Sequence, residues 1–194
     1  MSTVDPSALA PTFRPAELAG DGFRAVPWSL VGDVERRCRE IAAIAADPDV
    51  ALWNPLAGQT PAHAERWIAG RTAAWESGAA GSFALLDPDR DHLLGNVTVR
   101  WVDPFDGLAM IGYWLDPAAR GRGLATRAVQ AVTRWSFESV GARRIELAHA
   151  TGNSASCGVA LRAGYPLEGT LRDSHRFGDD QYHDEHLHAR LATD

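Results

Sequence analysis

The residues best placed for chemistry are Arg120-Gly121-Arg122-Gly123-Leu124-Ala125, which follow the apolar run 110–115 and open an amphipathic helix. A strand, a glycine-rich turn and a helix start build an anion site from backbone alone. The first N–H groups of a helix have no intrahelical partner, and the helix dipole favours negative charge there. Glycines let the chain turn sharply and bring those amides close to a phosphate oxygen. We read the turn, with Thr126 in the first helical turn, as a pyrophosphate cradle; a plain helix-starting turn is the alternative. A Walker loop is excluded because no lysine accompanies the glycines. A dinucleotide fingerprint is excluded because Thr126 stands where its third small residue belongs.

Other side chains carry chemistry of a different kind. Asn153 and Ser156 precede or open a second helix, where they are either hydrogen-bond donors to a reacting group or caps. His175 lies on a late strand, and an imidazole titrating near 6.5 in water suits proton transfer; an exposed strand histidine is the alternative. His183, His186 and His188 are close together, yet no His-Glu-x-x-His pattern or cysteine spacing accompanies them, so no metal is expected. Trp53, in a loop before Asn54-Pro55, and Trp101, late in a strand, are candidates to line a substrate pocket; core packing is the alternative for both.

The elements that must hold these groups follow from periodicity. Phe23 to Trp28, 82–86, 93–102, 110–115, 144–149, 169–177 and 182–191 read as strands. Val34, Cys38, Ile41 and Ala45 recur at helical spacing until Asp47-Pro48-Asp49 ends that helix. Thr60-Pro61 starts a second helix that Gly78 finishes. Leu124, Ala128, Val132 and Trp135 face one side of a third, stopped by Gly141, and a fourth runs from Asn153 to Gly164. Residues 1–20 are rich in Ala and Pro and read as a loose arm or short extended segment; 21–194 read as one domain. The architecture is α/β: a central mixed sheet with helices on both faces.

Bulk composition bounds the function. The chain has 194 residues, 45% hydrophobic, with a formal net charge of −6 and an isoelectric point near 5.6. No basic patch of the kind that binds nucleic acid assembles along it. Cys38 and Cys157 are too far apart for a metal motif and read as free thiols of a reducing compartment. With no signal peptide and no apolar run of membrane-spanning length, a cytoplasmic protein is expected.

The turn fits Arg/Gln-x-x-Gly-x-Gly/Ala, and three blocks follow it: Asn153-x-x-Ser156, Val159-Ala160-Leu161-Arg162-x-Gly164-Tyr165 and Leu167-Glu168-Gly169-x-Leu171-Arg172. In this order they resemble the GNAT family of N-acetyltransferases, in particular its ribosomal-protein (RimJ/RimL-like) branch, over roughly residues 22–191. The resemblance implies a mostly antiparallel sheet with a splayed parallel strand pair, acetyl-CoA as co-substrate without a metal, and a primary amine as acceptor. It implies that Arg120 to Thr126 hold the pyrophosphate and that backbone near Trp114 and Leu115 binds the pantetheine arm. Asn153 is then expected beside that arm, Ser156 beside the departing thiolate, and Tyr113, Trp53, Trp101 and His175 toward the acceptor. Two positions depart from the family: Ala160 replaces its usual tyrosine acid, and Met110 a common glutamate. A non-catalytic acyl-CoA-binding module and transfer of a longer acyl group stay open, and homodimerisation suits the branch.

Overall fold

The computed structural model describes residues 13–56 and 60–194. Eight strands form one sheet in the order β1-β2-β3-β4-β5-β6-β8-β7. They are β1 (Leu18–Gly20), β2 (Phe23–Pro27), β3 (Ala80–Leu86), β4 (Leu93–Asp103), β5 (Leu108–Leu115), β6 (Arg144–Ala150), β7 (Leu167–Arg176) and β8 (Tyr182–Leu191). The helices are α1 (Val34–Ala45), α2 (Pro48–Trp53), α3 (Pro61–Glu76), α4 (Leu124–Trp135) and α5 (Ser154–Arg162). Alternation along each strand divides the core between the two sheet faces. Phe83, Leu85, Val97, Val99, Ile111 and Ile145 pack with Ala128, Val129 and Val132 of α4. Val26, Ala84, Leu86 and Trp114 pack with Cys38 and Ile41 of α1 and Ile68 of α3 on the other face. No helix among the described residues is long and apolar enough to cross a membrane.

Every strand pair is antiparallel except β5 with β6. That parallel pair is in register only from Leu108↔Arg144 to Met110↔Glu146. Beyond Met110 the strands part, while β5 stays bonded to β4 as far as Leu115 and β6 to β8 as far as Ala150. The sheet thus opens in its middle, on the side where β5 runs into the glycine turn.

One local expectation changes and another is narrowed. Asp47-Pro48-Asp49 ends α1 but also starts α2: the Asp47 side chain accepts the Val50 N–H, and Pro48 sits in the first turn, where a missing N–H costs nothing. Trp53, expected in a loop, is therefore the last residue of a helix. Of the arm read over 1–20, residues 1–12 lie outside the described residues. Phe13 is buried, with its ring 5.3 Å from Trp101 and 5.9 Å from Trp135. Leu18–Gly20 pairs with β2. One aromatic anchor ties down the described end of this segment, which takes the short extended form, one of the two read from its composition.

Candidate active site

The donor side is built where β5 ends. Asp116 accepts the Ala118 N–H at 2.9 Å and shapes a short 3-10 turn over Pro117–Ala119. Gly121 and Gly123 then take φ of 76° and 72°, the left-handed region that costs other residues about 1–2 kcal/mol. Gly123 is the N-cap of α4, so the N–H groups of Leu124, Ala125 and Thr126 stand in its first turn. A cavity of about 660 Å³ opens there, lined by Trp114, Leu115, Arg120, Gly121, Gly123, Leu124, Ala125 and Thr126. Thr126 Oγ1 and Trp114 Nε1 are buried without a hydrogen-bond partner. A polyphosphate with an amide-bearing arm fits this wall, which offers backbone donors and unpartnered polar atoms together.

The arginines of the turn differ in placement. Arg120 lines the cavity and donates to Asp47 at 2.8 Å and Asp49 at 3.2 Å, tying the turn to α2. Burial alone would raise the Asp47 pKa; the Arg120 hydrogen bond and the Val50 N–H bring it below the usual carboxylate range. Arg122, expected in the cradle, turns its guanidinium to Ala118 O at 2.7 Å, and its side chain is not on the cavity wall. Arg127 donates to Arg122 O at 2.8 Å and bridges to Asp21 O at 3.0 Å, bracing the turn from outside.

At the inner end, Asn153 and Ser156 separate their roles. Asn153 caps α5, its Oδ1 accepting the Ser156 N–H at 3.1 Å. The Ser156 hydroxyl is thereby left for another partner, and it meets Tyr113 Oη at 3.0 Å across the gap where β5 and β6 part. Burial pushes the Tyr113 phenol above its ordinary pKa, with Ser156 and Arg162 opposing, so the phenol carries its proton at neutral pH. Ala160, at the position of the family's tyrosine, is fully buried. A phenol is nonetheless present, delivered by β5 rather than α5.

A second cavity of about 440 Å³ lies on the α3 side of the same gap, lined by Arg71, Arg100, Met110, Ser174, His175, Phe177 and Glu185 among others. The two cavities share Trp53, Asn54, Tyr113, Asn153 and Ser156. His175 arrives there through a bulge in β7 between Leu171 and His175, where Asp173 takes φ 48° and donates its N–H to Asp184 at 3.0 Å. Its ring stands edge-on to Phe177 at 5.1 Å. Trp53 is edge-on to Phe177 at 5.7 Å and to His183 at 6.0 Å. His183 itself bonds Asp179 at 2.8 Å.

Sequence reasoning missed three charged groups of this cavity. Glu185 accepts from Ser174 Oγ at 2.7 Å. Arg71 lies 5.1 Å over the Trp67 ring, with burial lowering its pKa and its Nε unpartnered. Arg100 reaches Met110 Sδ at 3.2 Å. Only strand phase could have found Glu185 and Arg100, and nothing local singled out Arg71. Trp101 is the correction: it lines neither cavity. Thr98 and Arg100 face the acceptor-side cavity, so the period of two sends Trp101 with Val97 and Val99 to the opposite face, against Phe13.

Two cavities that meet at one hydroxyl pair, beside a split sheet and a glycine turn, are the architecture of a two-substrate group transferase. Residues 34–166 match the family model described as an acetyltransferase (GNAT) domain. The chain is 32% identical over 133 residues to the ribosomal-protein-serine acetyltransferase of Escherichia coli (strain K12), covering 69% of this chain and 73% of that protein. The ribosomal-protein-S5-alanine acetyltransferase of Vibrio fischeri superposes with a TM-score of 0.79 at 19% identity, over 92% of this chain and 98% of that one. A RimL ribosomal L7/L12 alpha-N-protein acetyltransferase solved with coenzyme A gives 0.78 at 19% identity, over 91% and 98%. The chain belongs to the GNAT acetyltransferase family, and it is an N-acetyltransferase.

Proposed function

We propose that this enzyme moves an acetyl group from acetyl-CoA, held in the larger cavity, to a primary amine in the smaller one. The observation that carries the reading is the Tyr113–Ser156 hydroxyl pair at the junction of the two cavities. The first-turn N–H groups of α4 and Thr126 take the pyrophosphate, and the β5 edge at Trp114 and Leu115 takes the pantetheine arm. The amine nitrogen attacks the thioester carbon directly; the C–N bond forms, the C–S bond breaks, and the Ser156–Tyr113 pair supplies a proton to the departing thiolate. Glu185 holds the incoming amine, and His175, on its own or through water, takes the proton that the amine gives up.

A protein N-terminal α-amine fits this site best, as the names of the ribosomal-protein relatives suggest. An α-amine with a pKa near 8 costs about 1.4 kcal/mol to deprotonate at pH 7, and a lysine amine several times more. With Met110 where relatives carry a glutamate, no strong base stands on β5, and the cheaper acceptor is favoured. Arg71 and Arg100 line the same cavity as Glu185 and suit the carbonyls or carboxylates next to that amine.

The test is a calorimetric titration with acetyl-CoA and, separately, NADH, followed by thiol release against N-terminal peptides and small amines. Saturable binding of acetyl-CoA alone, with turnover on α-amine peptides, is expected. Binding without turnover across the panel would make the chain an acyl-CoA-binding module. No acetyl-CoA binding would remove the donor assignment altogether.

A further inference from the structure

On the α5 side of the sheet, behind Ser156, four donors of metal-ligand type converge. His149 of β6, Cys157 of α5, and His186 and His188 of β8 each bring one ligating atom within 4.8 Å of the other three. The register of β6 with β8 sets Leu147 opposite His188 and His149 opposite His186, so the three imidazoles share one face. Cys157 follows Ser156 in α5 and is a free thiol.

Hydrogen bonding fixes the state of two rings. His149 Nδ1 lies 2.9 Å from Ala150 O and His188 Nδ1 lies 3.0 Å from Tyr165 O. A carbonyl oxygen only accepts, so both Nδ1 atoms carry protons and both neutral rings present a lone pair at Nε2. Those two Nε2 atoms face each other at 3.2 Å in an environment where His149 is 5% and His188 0% exposed. Two buried acceptors so placed need a cation between them. A third donor waits beside them, since His186 Nδ1 is buried with no partner. Imidazoles that donate one ring N–H to a backbone carbonyl and turn the other nitrogen inward are the usual form of metal-ligating histidine.

We propose that His149, Cys157, His186 and His188 bind one zinc-type divalent ion. Three imidazoles and a thiolate form a closed set of the borderline-soft donors that zinc takes in four-coordinate structural sites. Zn–N bonds of about 2.0–2.1 Å give a tetrahedral N···N edge of about 3.3 Å, close to the His149–His188 separation. A single shared proton would account for that one contact but leave His186 Nδ1 and the Cys157 thiol unused. The ion staples β6, β8 and α5 on the far side of the split in the sheet, and so steadies the helix that carries Ser156. His149 also lines the smaller cavity, yet the ion serves the fold, and the acetyl transfer passes through none of its ligands.

The test uses the full chain, stripped with EDTA and passed through a desalting column. Titration with Co²⁺ as probe should give the visible absorption of a tetrahedral site together with a thiolate charge-transfer band, saturating at about one equivalent per chain. Cys157→Ser should abolish the charge-transfer band, and His186→Asn should weaken Co²⁺ binding by at least about tenfold, the scale on which loss of a metal contact is felt. Zn²⁺ should raise the melting temperature of the stripped wild type and not that of the double variant. Absorption no different from aqueous Co²⁺ would overturn the proposal. So would binding and thermal gain unchanged in both variants. If the variants misfold, as circular dichroism in EDTA would reveal, the wild-type spectrum and zinc-dependent melting decide alone.

Discussion

A serine and an asparagine near the start of a helix compete for one task, because either side chain can accept a first-turn N–H. In α5 Asn153 takes it, and the Ser156 hydroxyl is released to pair with Tyr113. Tyr113→Phe and Ser156→Ala should each lower kcat by about 10²-fold, the low end for a general acid, since a thiolate is a good leaving group. Acetyl-CoA affinity should stay within about twofold, because neither hydroxyl belongs to the phosphate end of the cavity. Stopped-assay kcat with calorimetric Kd on the same variants separates the two effects. The pH dependence has a definite sign. Burial raises the Tyr113 pKa, so its proton is lost only as pH climbs past 10, and kcat should show no falling limb from this group between pH 7 and 10.

The turn joining β5 to α4 is the element on which donor binding depends. Gly123 combines a left-handed φ of 72° with Arg127 Nη1 3.1 Å from where a Cβ would sit. Gly123→Val should therefore strain the N-cap by about 1–2 kcal/mol and displace the arginine that braces the turn. A melting temperature lower by about 2–8 °C is expected, with the fold retained in circular dichroism. The first-turn N–H groups would no longer converge, and charge-assisted hydrogen bonds are worth about 1.5–3 kcal/mol each, so acetyl-CoA affinity should fall at least about tenfold. Gly121→Ala is the sharper control: its Cβ meets nothing within 4 Å, so only the φ of 76° is penalised. Calorimetry should show a smaller loss of affinity there than at Gly123.

Over the whole molecule, the charges are unusual in kind, for the 19 basic residues include no lysine. Alkaline titration of side chains below pH 12 is therefore confined to two cysteines and three tyrosines. Burial is the main cause raising Cys38, Tyr113 and Tyr165, and for the last it outweighs the lowering effect of the hydrogen bond to Thr133 at 2.6 Å. Each ionises first in the unfolded chain, so stability is complete below about pH 8 and declines as pH rises through 9 to 11. Urea midpoints measured across that range should fall steadily. A flat profile would mean that these groups are as accessible folded as unfolded. On the acid side Glu168 is held down chiefly by its Arg144 hydrogen bond, at 2.9 Å. That contribution is present above the ordinary carboxylate pKa near 4 and is lost as pH falls, yet the exposed pair is worth no more than about 1 kcal/mol.

What the chain determined by itself is what near neighbours decide. The glycine turn, the caps at Thr60 and Asn153, and the strand and helix periods of 110–135 were all legible, because backbone sterics and capping act within a few residues. The family pattern lay in the same stretch. Tertiary structure alone decided who meets whom. Tyr113 and Ser156 are 43 residues apart, and only the splay of β5 from β6 brings their hydroxyls together. Arg71 reaches the acceptor cavity from a helix with no motif, and Cys157 meets His149 of the preceding strand together with His186 and His188 of the distant β8. Strand alternation says on which side of a sheet a residue lies, as Trp101 illustrates. Which residue waits on that side is set by register and helix packing over long range, and those follow from burying the whole core at once.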